Sequence, residues 1–230
     1  MRPLEQKEET LVDIAYRSIR KDIIEEVLPA GGKINFTQLS ERYGVSPTPI
    51  KQAVNRLMAE GLIESVPRRG MTVRKMSMDE INEVFDLRLM METYFTPAVI
   101  QAVQQNLAIQ QLFEKNIENN AAFAQTFSTA DEYFKTYEID KQFHELFIFA
   151  SGNKSALRIY KSLNTHAYAA SLYGKQPKDK TVEGIQEHKK IYEAICAGDQ
   201  KSVIELIQLH HENARTKIQL ALKFRSIGYF

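Results

Sequence analysis

The sequence predicts a mainly α-helical chain: a small N-terminal unit of three helices closed by a β-hairpin, then an all-α antiparallel helical bundle. Three observations predict it. Apolar residues recur at helical spacing over nearly the whole of the 230 residues. The one convincing period-2 stretch is short and surrounds the basic turn Pro67-Arg68-Arg69-Gly70. After residue 76 the helical stripes are broken only by brief turn signals, as between packed antiparallel helices.

Residues 1–9 are polar and charged and read as a flexible tail. Leu11, Ile14, Ala15, Ile19, Ile23 and Ile24 then mark a first helix, with Asp13 near its start and Pro29, Gly31 and Gly32 ending it. A second helix runs from Thr37, read as its N-cap, to Tyr43. The turn Gly44-Val45-Ser46 leads into a third helix from Pro47 to about Glu60, with Ile50, Val54, Leu57 and Met58 on its inner side. Gly61 stops it. Leu62–Val66 and Met71–Val73 form the arms of the hairpin. Three helices plus a basic hairpin is the layout of a winged helix-turn-helix, here over residues 10–76.

Residues 74–79 read as the joint, with Ser77 or Asp79 capping the first helix of the bundle. The second domain, 77–230, reads as six helices at about 78–104, 107–127, 130–151, 153–173, 181–197 and 199–224. Asn153 reads as a helix cap. Tyr94, Phe95, Tyr168 and Tyr173 read as core or cavity-shaping aromatics.

Composition excludes several classes. Hydrophobic residues make up 43% and charged residues 26%, ordinary for a globular chain. No apolar run approaches a membrane span of ~18 residues, and the N-terminus lacks the apolar segment of a secretory signal. Cys196 is the single cysteine, so no intramolecular disulfide forms, which fits a reducing, cytoplasmic setting. No HExxH helix, nucleophile elbow or phosphate loop is present, which argues against an enzyme. The formal net charge is only +1, yet residues 37–75 hold 7 basic and 3 acidic residues, a local +4 that suits an anionic partner.

The residues that would meet DNA can be named from this layout. Gly44 permits the left-handed turn that lets the third helix present its first turn to a major groove. Thr37, Ser46 and Thr48 carry hydroxyls suited to phosphate. Lys51 and Arg56 lie further along, where Arg56 reads equally well as a solvated charge. Arg68 and Arg69 on the wing could grip phosphates or enter a minor groove.

In the bundle, Asp140 and His144 stand i and i+4 on one helix, together with Phe147 and Ile148. His188 shares its face with Ile185, Ile191, Tyr192 and Ile195, and His210 with Val203, Ile207 and Ala214. Three histidines and a carboxylate thus point inward from three helices. That donor set suits a divalent ion such as zinc, nickel or manganese. His166 reads as a hydrogen-bonded core residue. His211, beside His210, could replace it or orient it.

Residues 37–62 (TQLSERYGVSPTPIKQAVNRLMAEGL) and 67–73 (PRRGMTV) resemble the helix-turn-helix and wing of the GntR family of bacterial regulators. Many members carry Arg where Pro47 and Lys51 stand. Arg grips guanine bidentately and neither replacement does, so the resemblance implies an operator less directed at guanine. Asp140-x-x-Phe143-His144, Ser151-Gly152-Asn153, Glu187-His188, Gly198-Asp199 and His210 resemble the FCD ligand-binding domain of the FadR subfamily. That resemblance implies metal binding by Asp140, His144, His188 and His210, zinc first among the candidates, with a small organic acid seated against the ion. Arg88 and Glu92 match an Arg-x-x-x-Glu on the first bundle helix. Arg88 then pairs with the effector carboxylate, or with Glu92 within the helix. The implied protein is a transcription regulator, a repressor by preference, that binds double-stranded operator DNA as a homodimer. A regulator for which the ion itself is the signal is the second reading. A metalloenzyme fused to a winged helix is the third.

Overall fold

The computed structural model describes residues 9–126, 129–163 and 178–226, and the chain divides into two compact units, residues 1–75 and 76–230. Each has its own buried apolar residues, and the architecture is mainly helical with a single two-stranded hairpin among the described residues.

In the first unit, α1 (Leu11–Ile24) opens with a capping box in which Thr10 and Asp13 bind each other's backbone N–H. It ends at Ile24 with Glu25 as cap, several residues before the Pro-Gly segment expected to stop it. Glu26 there takes a left-handed φ of 59°, which ends the helix without glycine. Leu11 is exposed rather than part of the inner face. Helix α2 (Phe36–Tyr43) is capped by Asn35, whose side chain accepts from the amides of Thr37 and Gln38. Thr37 is therefore inside the helix and not its cap, because the Asn35 carboxamide already satisfies the first amides. Gly44 ends α2 at φ 65°, a left-handed conformation that glycine adopts without strain. Helix α3 (Pro47–Ala59) starts with Pro at its first position. Ala15, Ile19, Ile50, Val54 and Leu57, all 0% exposed, fill the core between α1 and α3.

Strands β1 (Ile63–Val66) and β2 (Gly70–Val73) pair antiparallel, Ile63 opposite Val73. Residues 31–34 run along the free edge of β2, with Ile34 N–H bonding Met71 O and Val73 N–H bonding Gly32 O. This third edge partner covers otherwise unpaired backbone and steadies the wing's base.

The second unit begins with α4 (Met78–Gln105), capped by a Ser77–Glu80 box. Then come α5 (Leu107–Thr126), α6 (Ala130–Ala150), α7 (Lys154–Ser162), α8 (Lys178–Ala197) and α9 (Gln200–Ser226). Asn153 caps α7 through Ala156 N–H. That helix ends at Ser162; residues 164–173 of the expected 153–173 helix, with His166, Tyr168 and Tyr173, lie outside the described residues, as do residues 1–8. Val99, Val103, Phe113, Phe147, Ile148, Ile195 and Val203, each at most 1% exposed, form the bundle core. Tyr94, expected in the core, is 76% exposed. Its position on α4 falls in line with Leu87 and Met90, two further exposed apolar residues.

Candidate functional site

Helix α6 carries Asp140 and His144 one turn apart, α8 carries His188, and α9 carries His210. The three imidazoles are buried and Asp140 is half-buried. Their Nε2 atoms form a small triangle: 3.2 Å between His144 and His188, 3.4 Å between His188 and His210, and 3.2 Å between His144 and His210. Asp140 Oδ1 lies 3.6 Å from His188 Nε2. The His188 ring is seated by Phe143, which stacks on it at 4.0 Å and 8°.

Protonation can be deduced from what faces each outer nitrogen. His144 Nδ1 meets Glu92 Oε2 at 3.2 Å, and His210 Nδ1 meets Glu187 Oε2 at 2.7 Å. An ionised carboxylate only accepts, so both Nδ1 atoms carry a proton, and each ring in its neutral form presents its Nε2 lone pair to the cluster. Burial pushes the His144 imidazole down, and burial with His210 and His144 nearby pushes His188 well below the usual histidine range, so neither charges readily. The Nε2 atoms of the three imidazoles thus converge beside a carboxylate on one point where a cation could accept from all four. Ligands bonded at ~2.1 Å around a tetrahedral ion stand about 3.4 Å apart, and the observed spacings agree. The donor set fits a divalent metal.

Two carboxylates support this set from outside, and neither role is visible in the sequence. Burial pushes Glu187 up, but the hydrogen bond from His210 and that from Asn213, at 2.7 Å, bring it below its ordinary value. Burial likewise pushes Glu92 up, and the imidazoles of His144 and His211 outweigh it and hold it well below the carboxylate range. His211 meets Glu92 Oε2 at 3.0 Å, and burial pushes its own pKa down to about 4. It does not replace His210 in the cluster; it is 1% exposed against the carboxylate behind it. Tyr160 donates to Glu92 Oε1, and Arg88 Nε donates to Tyr160 Oη at 2.9 Å. Arg88 is buried, stands 3.8 Å from Glu92 Oε1, and is held in this network. The Glu187-His188 pair stands out as a motif, but only the crossing of α8 and α9 brings Glu187 to His210.

On the first unit, Thr37, Ser46, Thr48, Lys51, Arg56, Arg68 and Arg69 are all exposed. Ser46 is the N-cap of α3, yet its hydroxyl makes no capping bond and stays available to a ligand. Among the described residues no carboxylate pairs with Lys51, Arg68 or Arg69. Arg68 sits at the wing tip with φ 65°. Arg56 differs: its guanidinium lies 3.8 Å over the Tyr16 ring, 3.3 Å from Asp13 and 3.5 Å from Glu60. It braces α3 against α1. Among the described residues, no helix is long and apolar enough to cross a membrane.

Residues 11–73 match the family described as bacterial regulatory proteins, gntR family, and residues 83–213, more than half the chain, match the FCD domain. Curated relatives agree. The uncharacterized HTH-type transcriptional regulator YdhC of Bacillus subtilis (strain 168) is 22% identical over 85% of this chain and 85% of its own length. The HTH-type transcriptional repressor GlaR of Escherichia coli (strain K12) is 22% identical over 85% of this chain and 90% of its own. Among solved structures, E. coli McbR/YncC shares the fold with a TM-score of 0.62 at 16% identity, covering 92% of this chain and 98% of that one. The chain belongs to the GntR family of bacterial regulatory proteins and carries an FCD domain: it is a transcriptional regulator, not an enzyme.

Proposed function

We propose that the protein is a cytoplasmic repressor of the FadR subfamily that binds double-stranded operator DNA as a homodimer. Residues 10–76 read the operator, and a small carboxylate effector bound at a metal site in residues 77–230 modulates that binding. The observation that carries this reading is the convergence of Asp140, His144, His188 and His210 on one point.

The DNA contacts rest on exposed cations that no carboxylate engages among the described residues. Lys51 on α3 and Arg68 and Arg69 on the wing have the reach for phosphates, with Thr37, Ser46 and Thr48 as hydroxyl donors around the first turns. Pro47 and Lys51 favour an operator without bidentate Arg–guanine contacts from α3. Leu87, Met90 and Tyr94, at 44, 59 and 76% exposure along one face of α4, offer an apolar stripe that a second copy would cover.

The metal residues are Asp140, His144, His188 and His210, with zinc preferred for three imidazoles and one carboxylate, and nickel or manganese as alternatives. A divalent ion held there supplies a positive charge that attracts a carboxylate. Arg88, linked to the cluster through Tyr160 and Glu92, is the proposed partner of an effector carboxylate. An effector changes operator affinity only through unequal binding to the DNA-competent and incompetent forms.

The test is thermal unfolding against a panel of small organic and sugar acids, before and after chelator treatment. A ligand of the folded state raises the midpoint by mass action. One acid that stabilises the metal-loaded protein and not the stripped protein supports the reading. Stabilisation by metal with no response to any acid would replace it with the ion as signal.

A further inference from the structure

We propose that Glu92 is a positioning residue of the metal centre, holding His144 in the tautomer that turns its Nε2 toward His188, His210 and Asp140. The inference rests on the metal reading above and adds a residue to it.

Glu92 is 1% exposed, and both of its oxygens are engaged. Oε2 takes Nδ1–H of His144 at 3.2 Å and Nε2–H of His211 at 3.0 Å. Oε1 takes the Tyr160 hydroxyl, which in turn accepts from Arg88 Nε at 2.9 Å. The sequence spacing suggests an ordinary i,i+4 ion pair with Arg88. Yet at 3.8 Å that guanidinium nitrogen is the most distant of the four partners. The carboxylate is spent on the two imidazoles and on the phenol.

The consequence for His144 is directional. An acceptor fixed at Nδ1 keeps the proton there and leaves the Nε2 lone pair for an ion. The Phe143 ring packs perpendicular to that of His144, with centroids 5.6 Å apart. The two imidazole N–H groups and the Tyr160 hydroxyl together satisfy the carboxylate at this depth. His210 has an equivalent acceptor in Glu187, but Glu187 is only half-buried. Glu92 is the one of the two that connects the cluster to Arg88.

Cobalt(II) titration of the stripped full-length protein, observed by its visible absorption and by chelator competition, tests the proposal. Glu92→Gln should weaken cobalt binding by about ten- to a hundred-fold and shift the absorption band. Tyr192→Phe, which removes a phenol hydroxyl bonded to Gln110 and Glu114 and touches neither Glu92 nor its partners, should stay within about three-fold of the parent. A folded Glu92→Gln protein with parental affinity and spectrum overturns the inference, as does an equal loss in Tyr192→Phe, which would mark a general loosening of the bundle. Should Glu92→Gln not fold, long-range nitrogen–proton spectra of the zinc-loaded parent decide. A proton on His144 Nδ1 with the metal on Nε2 is expected, and the reverse overturns the inference. A parent chain that binds no cobalt overturns the metal reading itself, an outcome distinct from all of these.

Discussion

The carboxylate of Glu187 on α8 accepts a hydrogen bond from Nδ1 of His210 on α9 at 2.7 Å, and its other oxygen takes the amide of Asn213, one turn later on α9, at 2.7 Å. The second bond fixes the carboxylate plane that the first one uses. Replacing Glu187 by Gln keeps the shape but removes the charge that makes His210 a better donor to a metal. We expect metal affinity to fall about ten-fold. Stability of the stripped protein should change little, because Glu187 is only partly buried and the Gln carbonyl can still accept from His210 Nδ1. Chelator competition and thermal unfolding measured on the same variant separate the two effects, and equal losses in both would argue for a purely structural pair.

Removing the ion should loosen the bundle. Three imidazole nitrogens 3.2–3.4 Å apart can share at most the proton of His188 once the Nδ1 atoms of His144 and His210 are committed to carboxylates, whereas an ion engages all three. At a hundred-fold excess of free metal over its dissociation constant, binding stabilises the folded state by about 2.7 kcal/mol. For a chain of this size that corresponds to a midpoint shift of roughly 5–10 °C. Asp140→Ala should shrink the zinc-dependent shift, and His188→Ala should abolish it. A midpoint unchanged by chelator and zinc in the parent chain would count against a bound ion.

Much of this is legible without coordinates, and the reasons are local. Helical spacing alone sets His144, His188 and His210 on inward faces, and the Asp140–His144 pair needs only one helical turn to share a side. The hairpin shows because Arg68, Arg69 and Gly70 interrupt two short apolar runs. What spacing does not encode is the crossing of helices. Nothing in the sequence of α7 reveals that the Tyr160 hydroxyl reaches α4. Glu92 shows only as a neighbour of Arg88 on the same helix, whereas its nearer partners come from α6, α7 and α9. The α2 cap lies two residues before the expected one because Asn35 and Thr37 are both good caps, and backbone geometry chooses between them. Aromatic character suggests an interior place for Tyr94, although its helical phase matches the exposed residues Leu87 and Met90.

Arg56 and Lys51 should behave differently in DNA binding despite sitting five residues apart on α3. Arg56 stacks on Tyr16 and pairs with Asp13 and Glu60, so Arg56→Ala should cost about 0.5–1 kcal/mol of stability in the first unit. Its effect on the salt dependence of operator binding should be small. Lys51→Ala should leave stability within about 0.5 kcal/mol and reduce the slope of log affinity against log salt by about one. The same slope loss is expected for Arg68→Ala and for Arg69→Ala. Operator titrations at several salt concentrations check this, and a steep slope change with Arg56→Ala alone would reverse the assignment.

The stripe Leu87, Met90 and Tyr94 predicts where two copies meet. Three large apolar side chains at i, i+3 and i+7 on one helix face are poorly explained by a monomer, since water would cover all three. A charge placed among them would be desolvated on association and unpaired by its own symmetry mate. Met90→Glu together with Tyr94→Glu should therefore shift the protein to monomer in sedimentation or light scattering. Neither side chain lies in the core, so the helical content and the zinc-dependent stabilisation should remain at the parental level. Operator binding should weaken by at least about ten-fold, because each half-site must then be held by one recognition helix without its neighbour. A variant that stays dimeric with parental operator affinity would move the interface off α4, while a monomer with undiminished affinity would mean that one copy suffices to read the site.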